Sequence, residues 1–166
     1  MFCSIQYHWQ FDNPDVVTVW LALDDMTEVL GPLEYVKGSH RWGDGRVGSA
    51  NQFFQSNGGM KLVQSAAERE GLSLTDIEVV SMAGLKAGGI SIHDGRTWHG
   101  SGKNHSQNQP RRGLGLHFVP AQARFTAEAA RSKLWKSYVQ DAEDAEGQEL
   151  PIEDFPITWQ PIDAPN

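Results

Sequence analysis

Alternation of apolar and polar residues in two segments constrains the fold more than any other feature of this sequence. The segment GISIHDG (89–95) places Ile90 and Ile92 on one face of a strand, and Ser91 and His93 on the other. Alternation with a period of two residues is typical of β-strands rather than helices. The segment therefore predicts a sheet in which one face is apolar and the other carries a histidine.

The segment RRGLGLHFV (111–119) alternates in the same way. One face would hold Leu114, Leu116 and Phe118, and the opposite face Arg111, Gly113, Gly115 and His117. The two glycines would leave a hollow beside Arg111, where a guanidinium is costly unless a carboxylate or phosphate meets its planar fork. Arg111 is therefore a candidate anion-binding residue. The alternative is a solvated surface arginine beside Arg112.

The remaining segments predict a mainly β protein with a few peripheral helices. The run DVVTVWLALDD is near-continuously apolar, as expected of a strand covered on both faces. A proline-rich stretch near the C-terminus predicts an extended arm that follows the surface. The predicted strands are 15–25, 33–36 and 77–82, together with the two above; the predicted helices are 60–70, which Gly71 would stop, and 127–138.

Size and charge exclude several classes of protein. The 166 residues fit a single domain, 1–166, with its core at about 15–125. A net charge of -7 argues against a general nucleic-acid partner or binding to an acidic membrane surface. There is no apolar run of membrane-spanning length, and the N-terminus lacks the pattern of a secretory signal. The lone Cys3 excludes an internal disulfide, and we expect a cytoplasmic protein.

His99 follows the strand predicted at 89–95 and begins the small-residue turn HGSG. A histidine at a strand end can hold a metal through one ring nitrogen, while small neighbours leave space for a ligand and solvent. The alternative is an ordinary turn histidine. If His99 and Arg111 lie on facing strand ends with the hydroxyl of Ser101 between them, the site would suit a small dicarboxylate beside a metal.

Two segments resemble one protein family. HDGRTWHGSGKNHSQNQPRRGLGLHF resembles the distal motif of the phytanoyl-CoA dioxygenase family. DVVTVWLALDDMTEVLGPLEYVKGSHRWG resembles the central strand pair and the Gly-Ser-His loop of the same family. The two occur in the family's order and spacing and span most of residues 15–119. A chance match of both, in a sugar-binding or nucleotide-binding jelly roll of the cupin type, is the weaker interpretation.

The resemblance implies a double-stranded β-helix (jelly roll) that uses Fe(II), 2-oxoglutarate and O₂ to hydroxylate a small organic substrate. It implies that His99 is the distal iron ligand and that Arg111, assisted by Ser101, holds the carboxylate of 2-oxoglutarate. Trp20 matches a position that lines the same pocket, which is compatible with a role as a core tryptophan. His40 matches a loop histidine that would hold its loop by hydrogen bonds rather than bind metal.

The sequence departs from the family at the other two iron ligands. A His-x-Asp pair is expected near residues 2 to 4, where this chain has Phe2-Cys3-Ser4. His8 and Asp12 are the nearest substitutes, but four residues of a strand separate them by about 13 Å. His93-Asp94 resembles the ordinary lead-in to the distal histidine rather than the missing pair.

Two explanations of this departure stay open. The sequence is an N-terminally truncated member of the family, which we favour, or a shortened protein that has lost iron and keeps only a dicarboxylate site. In either case a jelly roll without its first strands would expose sheet edges and an apolar face. We therefore expect a homo-oligomer, with the proline-rich C-terminal arm as a candidate for exchange between copies.

Overall fold

The computed structural model describes residues 2–3, 9–13, 15–43 and 58–161. The chain separates into two compact units. The first comprises residues 1–7 and 16–118, and the second comprises residues 8–15 and 119–166. The single domain expected over residues 1–166 remains a prediction.

The first unit is mainly β, as predicted, and contains two antiparallel sheets. One sheet has four strands in the order β1-β6-β3-β4, and the other has three in the order β5-β2-β7. The elements are β1 (Phe2–Cys3), β2 (Val17–Ala22), β3 (Leu33–Val36), helix α1 (Gly58–Arg69), β4 (Val79–Ser81), β5 (Ile90–Asp94), β6 (His99–Ser101) and β7 (Gly113–Phe118). Short 3₁₀ helices lie at Glu28–Leu30, Ser39–Arg41 and Leu74–Asp76.

The register of the three-stranded sheet confirms the alternation predicted from the sequence. Thr18 of β2 lies opposite His93 of β5 and His117 of β7. Paired residues of neighbouring strands project from the same side of a sheet. The sheet therefore has a polar face, formed by Thr18, Trp20, Ser91, His93, Gly113, Gly115 and His117. On its apolar face Val19 and Leu21 are half-buried, and six apolar side chains are exposed: Val17, Ile90, Ile92, Leu114, Leu116 and Phe118.

The polar face points inward and the apolar face is accessible. On β2, Thr18 is only 3% exposed, whereas Val17 is 42% exposed. Ile92 on the apolar face is 64% exposed. The expectation that β2 is covered on both faces is therefore wrong for the part of the chain that the structure describes. β2 is apolar along most of its length because it is the central strand of the sheet, but only the polar side of that sheet is packed.

The four-stranded sheet and helix α1 form the main hydrophobic core. Its buried members are Val36, Leu62, Val63, Ala66 and Trp98, with Trp42 and Ile77 packed against them. The predicted helix is confirmed, since α1 ends at Arg69 and is followed by Gly71, which adopts the left-handed conformation (φ 74°). This core lies behind the strand that carries His99, because Trp98 is its immediate neighbour.

The Gly-Ser-His loop is held by Ser39 rather than by His40. The Ser39 hydroxyl donates to the carbonyl of Val36 (2.8 Å) and accepts from the backbone N–H of Trp98 (2.8 Å), and the side chain is 1% exposed. Within the described residues, His40 makes no hydrogen bond. The role expected of His40 was wrong because the smaller buried hydroxyl can both donate and accept, which the half-exposed imidazole one position later does not do here.

The second unit is organised by aromatic packing. The Phe11 ring lies 4.9 Å from Trp135 and 5.8 Å from Phe125 between centroids. The predicted helix 127–138 is wrong beyond its first turn, because a 3₁₀ helix covers only Ala127–Arg131. The Ser132 hydroxyl accepts from the next backbone N–H groups at 3.3 and 3.4 Å, a local bond that competes with helix continuation.

The proline-rich arm is only partly extended. A turn after Pro151 brings Phe155 to 5.3 Å from the Tyr138 ring, so this part packs into the aromatic cluster. From 156 to 161 the chain has no regular structure, and Trp159 is 77% exposed. The rest of the predicted arm, 162–166, lies outside the described residues.

We predict that Ser39→Ala lowers the free energy of unfolding by about 1–3 kcal/mol, because the buried N–H of Trp98 loses its acceptor. Urea unfolding followed by tryptophan fluorescence measures the change. Ser65→Ala, at an exposed position of α1, is the matched control and should stay within about 0.5 kcal/mol of the wild type. Equal stability of the two variants would contradict the bridging role of Ser39.

Candidate functional site

His99 begins β6, so the turn expected at HGSG is wrong for His99–Ser101, which forms a strand of the four-stranded sheet. It is 7% exposed and pairs with Tyr35 of β3 on one side and with Cys3 of β1 on the other. Its Nδ1 donates to the carbonyl of Thr97 (2.8 Å), because a carbonyl oxygen only accepts. The lone pair therefore resides on Nε2. Burial lowers the pKa of His99, partly offset by the bond to Thr97, so the ring is uncharged near neutral pH.

His93 of β5 approaches His99 from the other sheet. The two ring centroids lie 5.0 Å apart with an interplanar angle of 58°. Burial, followed by repulsion from His99 and His117, lowers the pKa of His93 to about 4. Both ring nitrogens of His93 are buried, and neither has a hydrogen-bond partner among the described residues. His93 is therefore a neutral imidazole with an unused donor and an unused acceptor.

Neighbouring polar groups of the inner face are paired with one another. The Tyr35 hydroxyl shares a hydrogen bond of 2.7 Å with Ser91, and burial raises the pKa of Tyr35. The Thr18 hydroxyl lies 2.9 Å from Nδ1 of His117. Burial is uneven across this face, since Thr18 is buried, whereas Gly113, Gly115 and His117 on β7 are accessible. The polar face is therefore shielded from solvent at Thr18 of β2 and accessible to solvent along β7.

The hollow predicted beside Arg111 is partly filled by Trp20. Trp20 lies opposite Gly115 on the polar face, and a Cβ added at Gly113 would collide with the indole ring. A Cβ at Gly115 would instead meet His117 at an ordinary contact distance of 3.5 Å. Trp20 is therefore a packed, half-buried tryptophan on the polar face.

The two adjacent arginines have different surroundings. Arg112 forms a two-pronged contact with Asp24, with Nη2 at 2.7 Å from Oδ1, and its backbone N–H donates to Oδ2 at 2.6 Å. This pairing lowers the pKa of Asp24. Arg111 is half-buried and lies two residues before β7. No hydrogen bond or ion pair joins Arg111 to another described residue.

Ser101 and His99 lie two residues apart on β6, so alternation places them on one face of that strand. Ser101 is half-buried and pairs with Leu33. His99 lies on β6, and Arg111 lies just before β7 of the other sheet. A binding space shared by the two remains a prediction, as do the roles assigned to Ser101 and Trp20.

The donors around His99 do not fit a two-histidine, one-carboxylate iron centre in the part of the chain that the structure describes. No three His, Cys, Asp or Glu side chains converge there in a metal-binding arrangement. Asp94 is held by the guanidinium of Arg96 (2.6 Å), and Asp12 accepts from the backbone of Arg124 (2.8 Å). His8 lies outside the described residues. The donors beside His99 are imidazoles and not carboxylates.

The participation of His93 and Tyr35 in this site was not predicted. The signal was present in GISIHDG, because alternation placed His93 on the same face as His117. The packing of that face against the sheet of His99 could not be predicted, because no local pattern specifies which two sheets meet.

Comparison with known proteins supports the resemblance of the two motifs. The family model of phytanoyl-CoA dioxygenase (PhyH) matches residues 4–113. The fold is similar to two non-heme α-ketoglutarate-dependent enzymes of nogalamycin biosynthesis: the epimerase SnoN (TM-score 0.55, 22% identity) and the carbocyclase SnoK (TM-score 0.57, 22% identity). The match covers 75% of this chain but only 42% of SnoN and 45% of SnoK. A search of curated proteins gave no match.

These similarities agree with the predicted jelly-roll fold, here as two antiparallel sheets with few helices. Among the described residues, no helix has the length and apolar character needed to cross a lipid bilayer.

We predict that Gly113→Ala destabilises the protein by about 1–3 kcal/mol, because its methyl group collides with the Trp20 ring. Gly115→Ala, whose methyl group meets no such obstacle, is the matched control. The cost of Gly113→Ala should fall by at least about 1 kcal/mol when Trp20 is also replaced by alanine. Thermal unfolding of the four variants of this double-mutant cycle measures the coupling, and additive effects would contradict the packing described.

Proposed function

Because the chain belongs to the phytanoyl-CoA dioxygenase family, we propose that it functions as an Fe(II)/2-oxoglutarate-dependent dioxygenase that hydroxylates a small organic substrate. In this proposal His99 is the distal iron ligand. Arg111 and Ser101 hold 2-oxoglutarate, and Trp20 lines the pocket. Iron would supply the activation of O₂, and 2-oxoglutarate would serve as cosubstrate.

The observation that carries the proposal is the state of His99 within the matched segment 4–113. Its Nδ1 donates to a backbone carbonyl, which holds the ring and leaves the lone pair on Nε2. Metal-binding histidines are commonly oriented by such a second hydrogen bond.

The contrast between Arg111 and Arg112 supports the role given to Arg111. Arg112 is occupied by Asp24, whereas Arg111 is half-buried with no described anionic partner. A guanidinium in that setting is suited to a carboxylate ligand, since two parallel N–H groups match its two oxygens. SnoN has been solved with Fe³⁺ and α-ketoglutarate, which supports 2-oxoglutarate as the ligand class.

An iron-less binding module is the alternative function. The observation in its favour is the donor set at His99, which within the described residues contains no carboxylate. In this alternative the chain keeps the fold and binds a dicarboxylate through Arg111, but performs no iron chemistry.

We predict that Arg111→Ala weakens the binding of 2-oxoglutarate by about 10-fold to 100-fold, because it removes charge-assisted hydrogen bonds. Arg112→Ala is the matched control and should bind 2-oxoglutarate as the wild type does, since Arg112 is held by Asp24. Isothermal titration calorimetry at fixed ionic strength gives both affinities. If the Arg111 variant keeps its affinity for 2-oxoglutarate, or if the control loses it, the carboxylate-binding role is assigned to the wrong arginine.

Anaerobic titration with Fe(II) separates the two functions. A dioxygenase should bind Fe(II) more tightly in the presence of 2-oxoglutarate and develop a charge-transfer absorption that His99→Ala abolishes. A binding module should bind 2-oxoglutarate equally well with and without metal.

We also propose that the chain forms homo-oligomers through the apolar face, with a second copy as the occupant. The six apolar side chains expose about 500 Å² per copy, so that two copies packed face to face would bury about 1,000 Å², the lower end for a specific interface. Two β-sheets of this kind pack face to face at a spacing of about 10 Å.

We predict that Ile92→Lys shifts the protein toward monomer, because a charge would be buried between the paired apolar faces. Ile152→Lys is the control, since Ile152 in the second unit is similarly exposed (59% against 64%). Sedimentation velocity over a range of protein concentrations measures the distribution. A wild-type protein that remains monomeric at all concentrations would contradict the proposal.

A further inference from the structure

A cavity of about 360 Å³ lies against the four-stranded sheet, on the side opposite to Tyr35 and His99. The Tyr35 ring packs against His93, so alternation along β3 directs Glu34 to the other side of the sheet, where it lines the cavity. Ser81 of β4 lies opposite Glu34 and lines the same cavity. The volume falls within the range of about 300–1,000 Å³ that is typical of sites for small molecules.

The walls of the cavity are formed by two loops that cross at a pair of glycines. A Cβ added at Gly31 would lie 2.6 Å from the carbonyl group of Gly102, so the two backbones approach each other closely. The backbone N–H of His105 donates to the carbonyl of Val29 (2.8 Å), and that of Gly31 donates to the carbonyl of Glu28 (3.0 Å). These contacts hold both loops in place, so the shape of the cavity does not depend on a ligand.

Four ionisable side chains line this cavity: Glu28, Glu34, Lys103 and His105. Within the described residues, none of the four forms a side-chain hydrogen bond or an ion pair. Glu34 is half-buried, and Lys103 does not pair with either glutamate although it lines the same space. Two negative charges and one positive charge therefore face one concave surface, and a concave surface concentrates their field.

Other charged side chains around the same sheet are paired. Lys37 contacts Glu78 at 2.7 Å, and Lys86 contacts Asp25 at 2.9 Å. The cavity thus differs from the nearby surface in holding opposite charges apart rather than joining them. That arrangement is suited to a ligand that carries both kinds of charge.

We propose that this cavity binds a small basic amino acid, such as L-arginine or L-lysine. The two cationic groups of the ligand meet Glu28 and Glu34, and its carboxylate meets Lys103. The ligand therefore carries two positive charges and one negative charge, the inverse of the site. A guanidinium fits this role well, because its parallel N–H groups match the two oxygens of a carboxylate.

The charge of the site disfavours other classes of small molecule. A dicarboxylate or a nucleotide would bring further negative charge against the two glutamates, and like charges in contact are costly. A diamine would satisfy the glutamates but leave Lys103 facing a second cation. The site goes beyond the proposed dioxygenase function and is independent of it, since His99 and Arg111 take no part.

Heteronuclear NMR titration of the full chain tests the proposal. We expect L-arginine to bind with a Kd of about 0.1–1 mM at low ionic strength and to shift the backbone signals of Gly31 and Gly102. L-Citrulline, which has the same shape without the guanidinium charge, should bind at least about 10-fold more weakly. Unshifted signals of both glycines at about 10 mM L-arginine, or equal binding of L-citrulline, would overturn the proposal.

Glutamate substitutions locate the cationic groups of the ligand. Glu34→Gln should lower the affinity for L-arginine at least about 5-fold, because it removes the charge and keeps the size of the side chain. Glu28→Gln, at an exposed position, should have the same effect and supplies the reading if the Glu34 variant does not fold. Glu78→Gln, which changes a carboxylate held by Lys37, is the matched control and should bind as the wild type does. Wild-type affinity in folded variants of both lining glutamates would contradict the site.

Lys103→Gln tests the orientation of the ligand. Agmatine is arginine without its carboxylate, so Lys103 should attract L-arginine but repel agmatine. The variant should bind L-arginine more weakly and agmatine more tightly than the wild type, changing the ratio of the two affinities by at least about 5-fold. An unchanged ratio would overturn the pairing of Lys103 with the ligand carboxylate.

Discussion

The register of β2 against β5 and β7 is the constraint on which the rest of the first unit depends. It sets Thr18 between His93 and His117 and so gathers the polar residues of three strands on one face. Because side chains alternate along a strand, a slip of one residue in either pairing would exchange the two faces. Inner polar groups and outer apolar groups are therefore two consequences of the same backbone pairing.

This arrangement inverts the usual burial of a sheet, in which apolar residues face the interior. The inner face is stabilised instead by specific pairs, such as Tyr35 with Ser91 and Thr18 with His117. Its histidines avoid the cost of a buried charge because burial keeps them neutral, with the pKa of His93 lowered to about 4. A polar interior of this kind is expected where a protein binds a ligand, and this connects the packing of the inner face to the proposed site.

Local pattern was sufficient to predict β5 and β7 and the face on which their residues lie, because GISIHDG and GLGLHF alternate. The strand of His99 was not predicted: HGSG was expected to be a turn, but His99–Ser101 forms β6 between β1 and β3, a pairing with distant segments that a local pattern does not display. The spacing of apolar residues and Gly71 gave α1. These features depend on periods of two or 3.6 residues, which a sequence displays directly.

Features that depend on distant partners were not predictable in the same way. Helix 127–138 failed because the Ser132 hydroxyl and the aromatic packing of Trp135 override the helix propensity of the segment. Arg112 pairs with Asp24, 88 residues away, and this pairing leaves Arg111 as the arginine that is available to a ligand. A sequence shows that two arginines are adjacent, but not which one already has a carboxylate.

The hydroxyl of Ser39 has a consequence for how His99 is presented. It joins a loop near the start of the chain to the residue immediately before His99, 59 positions later. The imidazole therefore acquires its orientation as part of the folding of the sheet. A ligand of His99 would meet a ring that is already oriented, at little entropic cost to the protein, and replacing Ser39 would disturb that orientation from outside the site.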